Sequence, residues 1–231
     1  VKDAVTPRTR MILINSPHNP SGAVLEAPDL ETLAGIVRGT EIFVLSDEVY
    51  EHIIFDGLAH QSVLRHEELA ARSFVISSFG KTYHCTGWKV GYCIAPPQLS
   101  AEFRKVHQYL TFCTFSPAQW AFADMLESDP QHYLDLPAFY QAKRDHFRQL
   151  LAPSKFKLMP VPGAYFQLVD YSALKATDDL NFCEWLVREA GVAAIPVSAF
   201  YETPPDARLV RLCFAKSEAT LAAAAERLCR L

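Results

Sequence analysis

The sequence predicts an α/β domain built on a mostly parallel sheet, followed by a small α+β unit. Three observations predict it. In the first part of the chain, short apolar runs of strand length alternate with helical segments, the pattern of a parallel sheet with crossover connections. Those runs are continuously apolar, as in strands covered by helices. After Pro97 the character changes to longer helices, a proline-rich connection and a few late strands.

The elements follow in chain order. "MILIN" (Met11 to Asn15) reads as a buried parallel strand, and "SPHNPSG" after it, with two prolines and a glycine, must be loop. From Asp29 to Arg38, Leu30, Leu33, Ile36 and Val37 share one helical face, and Gly39 is a plausible stop. "IFVLSDE", "SFVISSF" (Ser73 to Phe79) and "VGYCIAP" (Val90 to Pro96) are the second, third and fourth strands. Leu99 to Phe112 and Pro117 to Leu126 read as helices. Tyr133 to Leu151 reads as a long amphipathic helix whose true start Pro137 should mark. "APSKFKLMPVPGAY" is a linker or loop. A strand "YFQLVDY", a helix around Leu180 to Glu189, "VAAIPVSAF", a strand "RLVRLCFA" and a helix from about Glu218 to Leu231 complete the small unit. The expected division is residues 1–125, a connecting helix over 126–155, and 156–231.

Composition narrows the class. With 231 residues, 50% hydrophobic and 21% charged, the chain can bury a real core. A net charge of −4 gives no basic footprint, so no nucleic-acid partner is expected. No apolar run reaches membrane-spanning length, so no membrane partner is expected either. The six cysteines have no metal-ligand spacing, and most read as small core residues in a reducing, cytoplasmic compartment, with neither disulfide nor metal. The opening "VKDAV" has no initiator Met and no secretory pattern, and reads as part of a longer chain.

The polar residues at the strand ends carry the chemistry. Asp47 ends one apolar strand with Tyr50 three residues on, Asn19 and Gly22 follow another, and Ser78 and Lys81 follow a third. Ligands of open α/β sheets bind beyond such carboxyl ends. Singly, each residue reads as a cap, a turn residue or a solvated group. Together, "NSPHNPSG", "SDEVYEHIIFDG", "SSFGKTYHCTGWKVGY" and "VRLCFAKSEATL" resemble, in order, the successive motifs of pyridoxal-phosphate aminotransferases of fold type I. The resemblance runs from about Pro7 to the last helix. It is strongest to the branch holding kynurenine (glutamine) aminotransferases and bacterial methionine aminotransferases.

That resemblance implies a set of roles. Residues 1–125 correspond to the C-terminal part of the large cofactor-binding domain, and 156–231 to the small C-terminal domain. Lys81 matches the lysine that bonds to the cofactor aldehyde and later moves a proton, a task that sparse neighbouring charge assists. Asp47 matches the partner of the pyridine nitrogen, and Asn19 and Tyr50 the donors to the phenolic oxygen. Ser78 and Lys89 match phosphate ligands, with Gly80, Gly87 and Gly91 giving the loop room. Arg211 matches the clamp on the substrate carboxylate, preferred over Arg208, with Asn19 beside it. Closing the small domain would carry Arg211 onto substrate. Lys89 also has a plainer reading, as a cation resting on Trp88. His18, His52 and His84 read as pocket lining, and Tyr83 and Tyr109 as possible neighbours of the cofactor.

The expected activity is transfer of an amino group from methionine, an aromatic amino acid or glutamine to a 2-oxo acid, by an enzyme that is a homodimer in its full-length form. A cysteine-conjugate β-lyase using the same lysine is the alternative, as is an inactive cofactor-binding fragment. Family chains are longer at the N-terminus. Their extra part supplies a phosphate-binding turn, a ring stacked on the cofactor, further strands, a segment over the substrate pocket and much of the dimer interface.

Overall fold

The computed structural model describes residues 1–231. Packing divides the chain into two compact units. The first comprises Val1–Pro17, Val24–His52 and Ala59–Leu136, and the second His18–Ala23, Ile53–Leu58 and Pro137–Leu231. Two short excursions from the first part of the sequence therefore belong to the second unit.

The first unit holds a four-stranded sheet of β1 (Met11–Asn15), β2 (Phe43–Asp47), β3 (Ser73–Ser78) and β4 (Gly91–Ile94), in that order. The first three strands are parallel, and β4 runs antiparallel to β3. Helix α1 (Ala27–Val37) starts at a capping box in which Glu26 and Asp29 exchange side-chain-to-backbone hydrogen bonds, with Pro28 in its first turn. Its Leu30, Leu33, Ala34 and Val37 bury against Ile12, Val44 and Val75 of the strands. Short helices α2 (Glu67–Ala70) and α3 (Phe79–Thr82) flank β3. Helices α4 (Pro97–Leu110) and α5 (Ser116–Ser128) follow β4, and Phe122 of α5 stacks on Phe79 with ring centroids 4.9 Å apart.

One expectation for this sheet fails. The strands read as covered on both faces, yet Leu13 is 65% exposed, and Met11, Phe43 and Ile76 on the same sheet are exposed as well. Within this chain α1 packs on one face only, so the outward residues of each pleat stay bare.

Helix α6 (Gln131–Leu151) crosses the division between the units. It begins six residues ahead of Pro137, which was expected to mark its start and instead lies inside it. Pro137 lacks the N–H that would bond the carbonyl of Tyr133, so the ladder is interrupted where the second unit begins.

The second unit holds an antiparallel sheet ordered β5 (Lys157–Leu158), β6 (Phe166–Asp170), β8 (Leu209–Cys213), β7 (Ile195–Pro196). Strand β5 lies within the stretch read from sequence as loop. Helices α7 (Asp179–Ala190) and α8 (Glu218–Cys229) complete it. Asp178 caps α7 by accepting from Asn181 N, Gly191 ends it at φ 63°, and Ser217 caps α8. The core is aromatic, with Tyr171 stacked on Phe182 at 3.9 Å between centroids. The excursion Ile53–Leu58 is fastened here by paired bonds of 2.7 Å from Arg144 to Asp56, and Arg144 also lies over the Phe55 ring. Arg144 donates a third bond to the Val161 carbonyl, so this nearly buried guanidinium is well satisfied. No helix is long and apolar enough to cross a membrane. Of the cysteines, Cys183 alone is buried, whereas Cys113 is exposed and the other four are half-buried. The reading of them as core residues therefore holds for one.

Candidate active site

In the first unit, the pairing register aligns the strand ends. Asn15 pairs with Asp47 and Asp47 with Ile76, so the carboxyl ends of β1, β2 and β3 share one rim. The main chain of Asp47 is held there twice: its carbonyl accepts from Ser16 N at 3.0 Å and from Asn15 Nδ2 at 2.9 Å. Its carboxylate accepts one hydrogen bond, from Val49 N to Oδ1 at 3.2 Å, leaving Oδ2 open. The turn after β2 brings Tyr50 back into the core, 3% exposed, with Lys81 Nζ lying 5.9 Å from its ring centroid.

Ser78 ends β3 and caps α3, its hydroxyl accepting from Gly80 N at 3.1 Å. The hydroxyl proton remains available as a donor. Lys81 sits on the short helix so started and forms no ion pair with the protein. Lys89 is exposed, adopts the left-handed conformation at φ 55°, and has no cation–π contact with Trp88, whose ring lies 5.4 Å from Phe122 instead. An amine, a cation and a carboxylate oxygen, none neutralised by a protein partner, suit an aldehyde-bearing phosphate whose ring nitrogen carries a proton.

The three glycines do not share one task. A Cβ on Gly80 would lie 2.9 Å from Thr86 Cα, and one on Gly91 2.5 Å from the Ser77 carbonyl. Both are required by backbone packed on backbone. Gly87 has open space around it, so no neighbouring backbone demands a glycine there.

In the second unit, Asn19 and Arg211 are brought together, Arg211 Nη1 donating to Asn19 Oδ1 at 2.5 Å. The Arg211 guanidinium lies 4.2 Å from the Phe166 ring centroid, and its Nε is buried without a partner. An unsatisfied guanidinium donor over an aromatic face is suited to receive a carboxylate. Asn19 is carried on a loop held close by Gly22, at φ 74°, where a Cβ would lie 2.8 Å from the Gly163 carbonyl. Arg208 is engaged elsewhere, in an ion pair with Asp206.

The histidines divide. His18 Nδ1 lies 2.7 Å from Ser21 Oγ, and burial lowers its pKa. His52 packs on Tyr133 and is also held low by burial, against an opposing pull from Glu51. His84 is exposed and meets His132 edge-on. Tyr83 stacks on His132, and Tyr109 is 86% exposed.

Sequence reasoning missed the residues behind the turn. Glu48 is 2% exposed and accepts from Ser46 Oγ at 2.8 Å, His60 Nε2 at 2.7 Å and Val63 N at 3.2 Å. Burial opposes its ionisation, but His60, Ser46 and Ser62 outweigh that and hold its pKa below the usual carboxylate value. Glu51 accepts from Ser77 Oγ at 2.6 Å and Tyr92 Oη at 2.5 Å. Burial, then the bond to Glu51, pushes the Tyr92 hydroxyl's pKa upward. The available signal was the spacing in "DEVYE": Asp47 and Tyr50 are three apart, and so are Glu48 and Glu51.

This fold and these strand-end residues define a class. Residues 1–228 match the aminotransferase class I and II family, and the chain belongs to it. Among named relatives, methionine aminotransferase of Escherichia coli (strain K12) is 57% identical over 97% of this chain and 58% of its own length. Kynurenine–oxoglutarate transaminase 1 of Mus musculus is 34% identical over 97% of this chain and 58% of its own. The crystal structure of YbdL from Escherichia coli, reported with a methionine aminotransferase function, superposes with a TM-score of 0.97 at 55% identity, covering all of this chain and 61% of that one. A Thermus thermophilus aspartate aminotransferase variant gives 0.88 at 31% identity, over 99% of this chain and 58% of that one. The chain thus spans less than two thirds of the length of these relatives.

Proposed function

We propose that this protein is a pyridoxal 5'-phosphate-dependent aminotransferase, moving an amino group from a methionine-like, aromatic or glutamine-like amino acid to a 2-oxo acid. The observation that carries the reading is Lys81: a half-buried amine without an ion pair, one helical turn past the strand end that bears Ser78. When bound, the cofactor supplies an aldehyde that condenses with amines and a ring that draws electron density from the substrate Cα.

The chain's own residues supply the rest. Lys81 Nζ would hold the cofactor through its aldehyde and would be the base that moves the substrate Cα proton. Asp47 Oδ2 would face the protonated ring nitrogen. Tyr50 and Asn19 would donate to the ring oxygen. Ser78 Oγ and Lys89 Nζ would bind the phosphate, and Arg211, with Asn19, would bind the substrate carboxylate through parallel N–H donors. In this reading residues 1–125 belong to the large domain, 126–155 connect, and 156–231 are the small domain. The working, full-length form is a cytoplasmic homodimer. Its support is the bare apolar surface around the end of α4 and in α5, where Tyr109, Leu110, Phe112 and Trp120 are each more than 70% exposed.

The test is chemical. Protein loaded with pyridoxal phosphate, reduced with borohydride and digested, is expected to carry the pyridoxyl mass on the peptide containing Lys81. Lys81→Ala should carry none, and unchanged labelling in that variant overturns the assignment. With methionine and an oxo acid, the expected products are a keto acid and a new amino acid. With a cysteine S-conjugate in place of methionine, release of ammonia, pyruvate and a thiol would mark a β-lyase instead.

A further inference from the structure

The buried carboxylate next to Asp47 has no part in the reaction just described. We propose that Glu48, through His60, is a positioning residue that fixes the turn presenting Asp47 and Tyr50. This rests on the aminotransferase reading.

The inward column of β2 runs Val44, Ser46, Glu48, all at most 2% exposed, so it changes from apolar to ionic just where the strand ends. A buried carboxylate is rarely the stabler choice at such a position, since a well-packed apolar side chain does as well or better. What it adds is direction. Glu48 ties Ser46 behind it to His60 and Val63 N on the returning chain, and its own N–H reaches the Ile76 carbonyl at 2.8 Å. His60 serves nothing else: its Nε2 donates to Glu48, and its Nδ1 is buried without a partner.

The topology gives the clamp its purpose. Between Glu48 and His60 the chain leaves for Ile53–Leu58, which belongs to the second unit. The Glu48–His60 and Glu48–Val63 bonds close that excursion at its root. The two ends of the excursion are thereby joined within the first unit, without help from residues 53–58. Glu51 fastens the other end of the same turn to Ser77 of β3 and Tyr92 of β4. Along "DEVYE", residues 47 and 50 do chemistry while residues 48 and 51 anchor.

The experiment compares His60→Ala and His60→Gln in the cofactor-loaded enzyme, with Lys81→Ala as control. His60→Gln keeps a donor for Glu48. His60→Ala is expected to lower kcat roughly tenfold to a hundredfold, as small misplacements of reacting groups do. KM for the amino acid should stay within about twofold, because substrate binding is untouched. The pH at which the bound cofactor's visible band titrates should shift, reporting a moved Asp47, and His60→Gln should restore both. If His60→Ala lowers the melting temperature but leaves kcat per bound cofactor and the band's titration as in wild type, the proposal is overturned. Should His60→Ala fail to fold, Glu48→Gln decides by the same two readouts: wild-type values overturn the proposal, and a reduced kcat with a shifted band supports it. Loss of the borohydride label in Lys81→Ala with a silent His60→Ala sinks the positioning role alone. Retention of the label in Lys81→Ala sinks the aminotransferase assignment beneath it.

Discussion

Two charged residues, Arg211 and Asp47, act at different steps of the proposed reaction, so their losses separate kinetically. Arg211 meets substrate as it binds; Asp47 matters when the ring must draw electrons. Arg211→Ala is expected to raise the amino-acid KM by about tenfold to a hundredfold, the cost of a charge-assisted bidentate contact, while leaving cofactor labelling at Lys81 intact. Asp47→Ala is expected to lower kcat by roughly a hundredfold or more, in the range of a lost electrostatic group, with a much smaller loss of cofactor affinity. Steady-state kinetics beside an absorbance titration of the cofactor separates the two, and an unchanged KM in Arg211→Ala counts against its role. At this scale the sequence was blind to what supports the proposed site. Lys81, Asp47 and Arg211 were picked out by the order of four motifs, since each alone reads as a cap, a turn residue or a solvated group. Glu48 and Glu51 look like ordinary solvated acids until the turn buries one and ties the other to Ser77 and Tyr92.

Among the elements, glycine separates local from tertiary demands. Gly22 holds φ at 74° and faces the Gly163 carbonyl, so Gly22→Ala is expected to cost about 1–3 kcal/mol through strain that no rotamer relieves. It should also loosen the loop that presents Asn19 to Arg211. Gly35 lies within α1 with nothing near its missing Cβ, so Gly35→Ala should stabilise by about 0.5–1 kcal/mol. Chemical denaturation of both variants tests this, and a stabilised Gly22→Ala or a destabilised Gly35→Ala refutes the reasoning. The strands and most helices were legible because apolar periodicity is a local record of burial. The start of helix α6 was not, because a proline is a common helix start, whereas here the helix opens at Gln131 and Pro137 lies inside it.

For the whole molecule, exposure is the telling quantity. The bare residues Tyr109, Leu110, Phe112 and Trp120 sit on a chain whose net charge of −4 does little to keep copies apart. Sedimentation equilibrium is expected to return twice the mass of the chain, and Trp120→Glu to shift the population toward monomer. A wild-type monomer at micromolar concentration would contradict the homodimer.

The sequence by itself determined the order and type of the main elements and the sheet-forming first part, and its four ordered motifs carried the resemblance to aminotransferases. Periodicity and motif are both local. Only the tertiary structure decided that one sheet face is bare, that residues 18–23 and 53–58 pack with the second unit, and that Gly80 and Gly91 answer to neighbouring backbone. It supplied the hydrogen bond by which Arg211 meets Asn19, 192 positions apart, and it alone paired Glu48 with His60 across an excursion of the chain. Such contacts depend on where distant segments return, and no local pattern of side chains encodes that return.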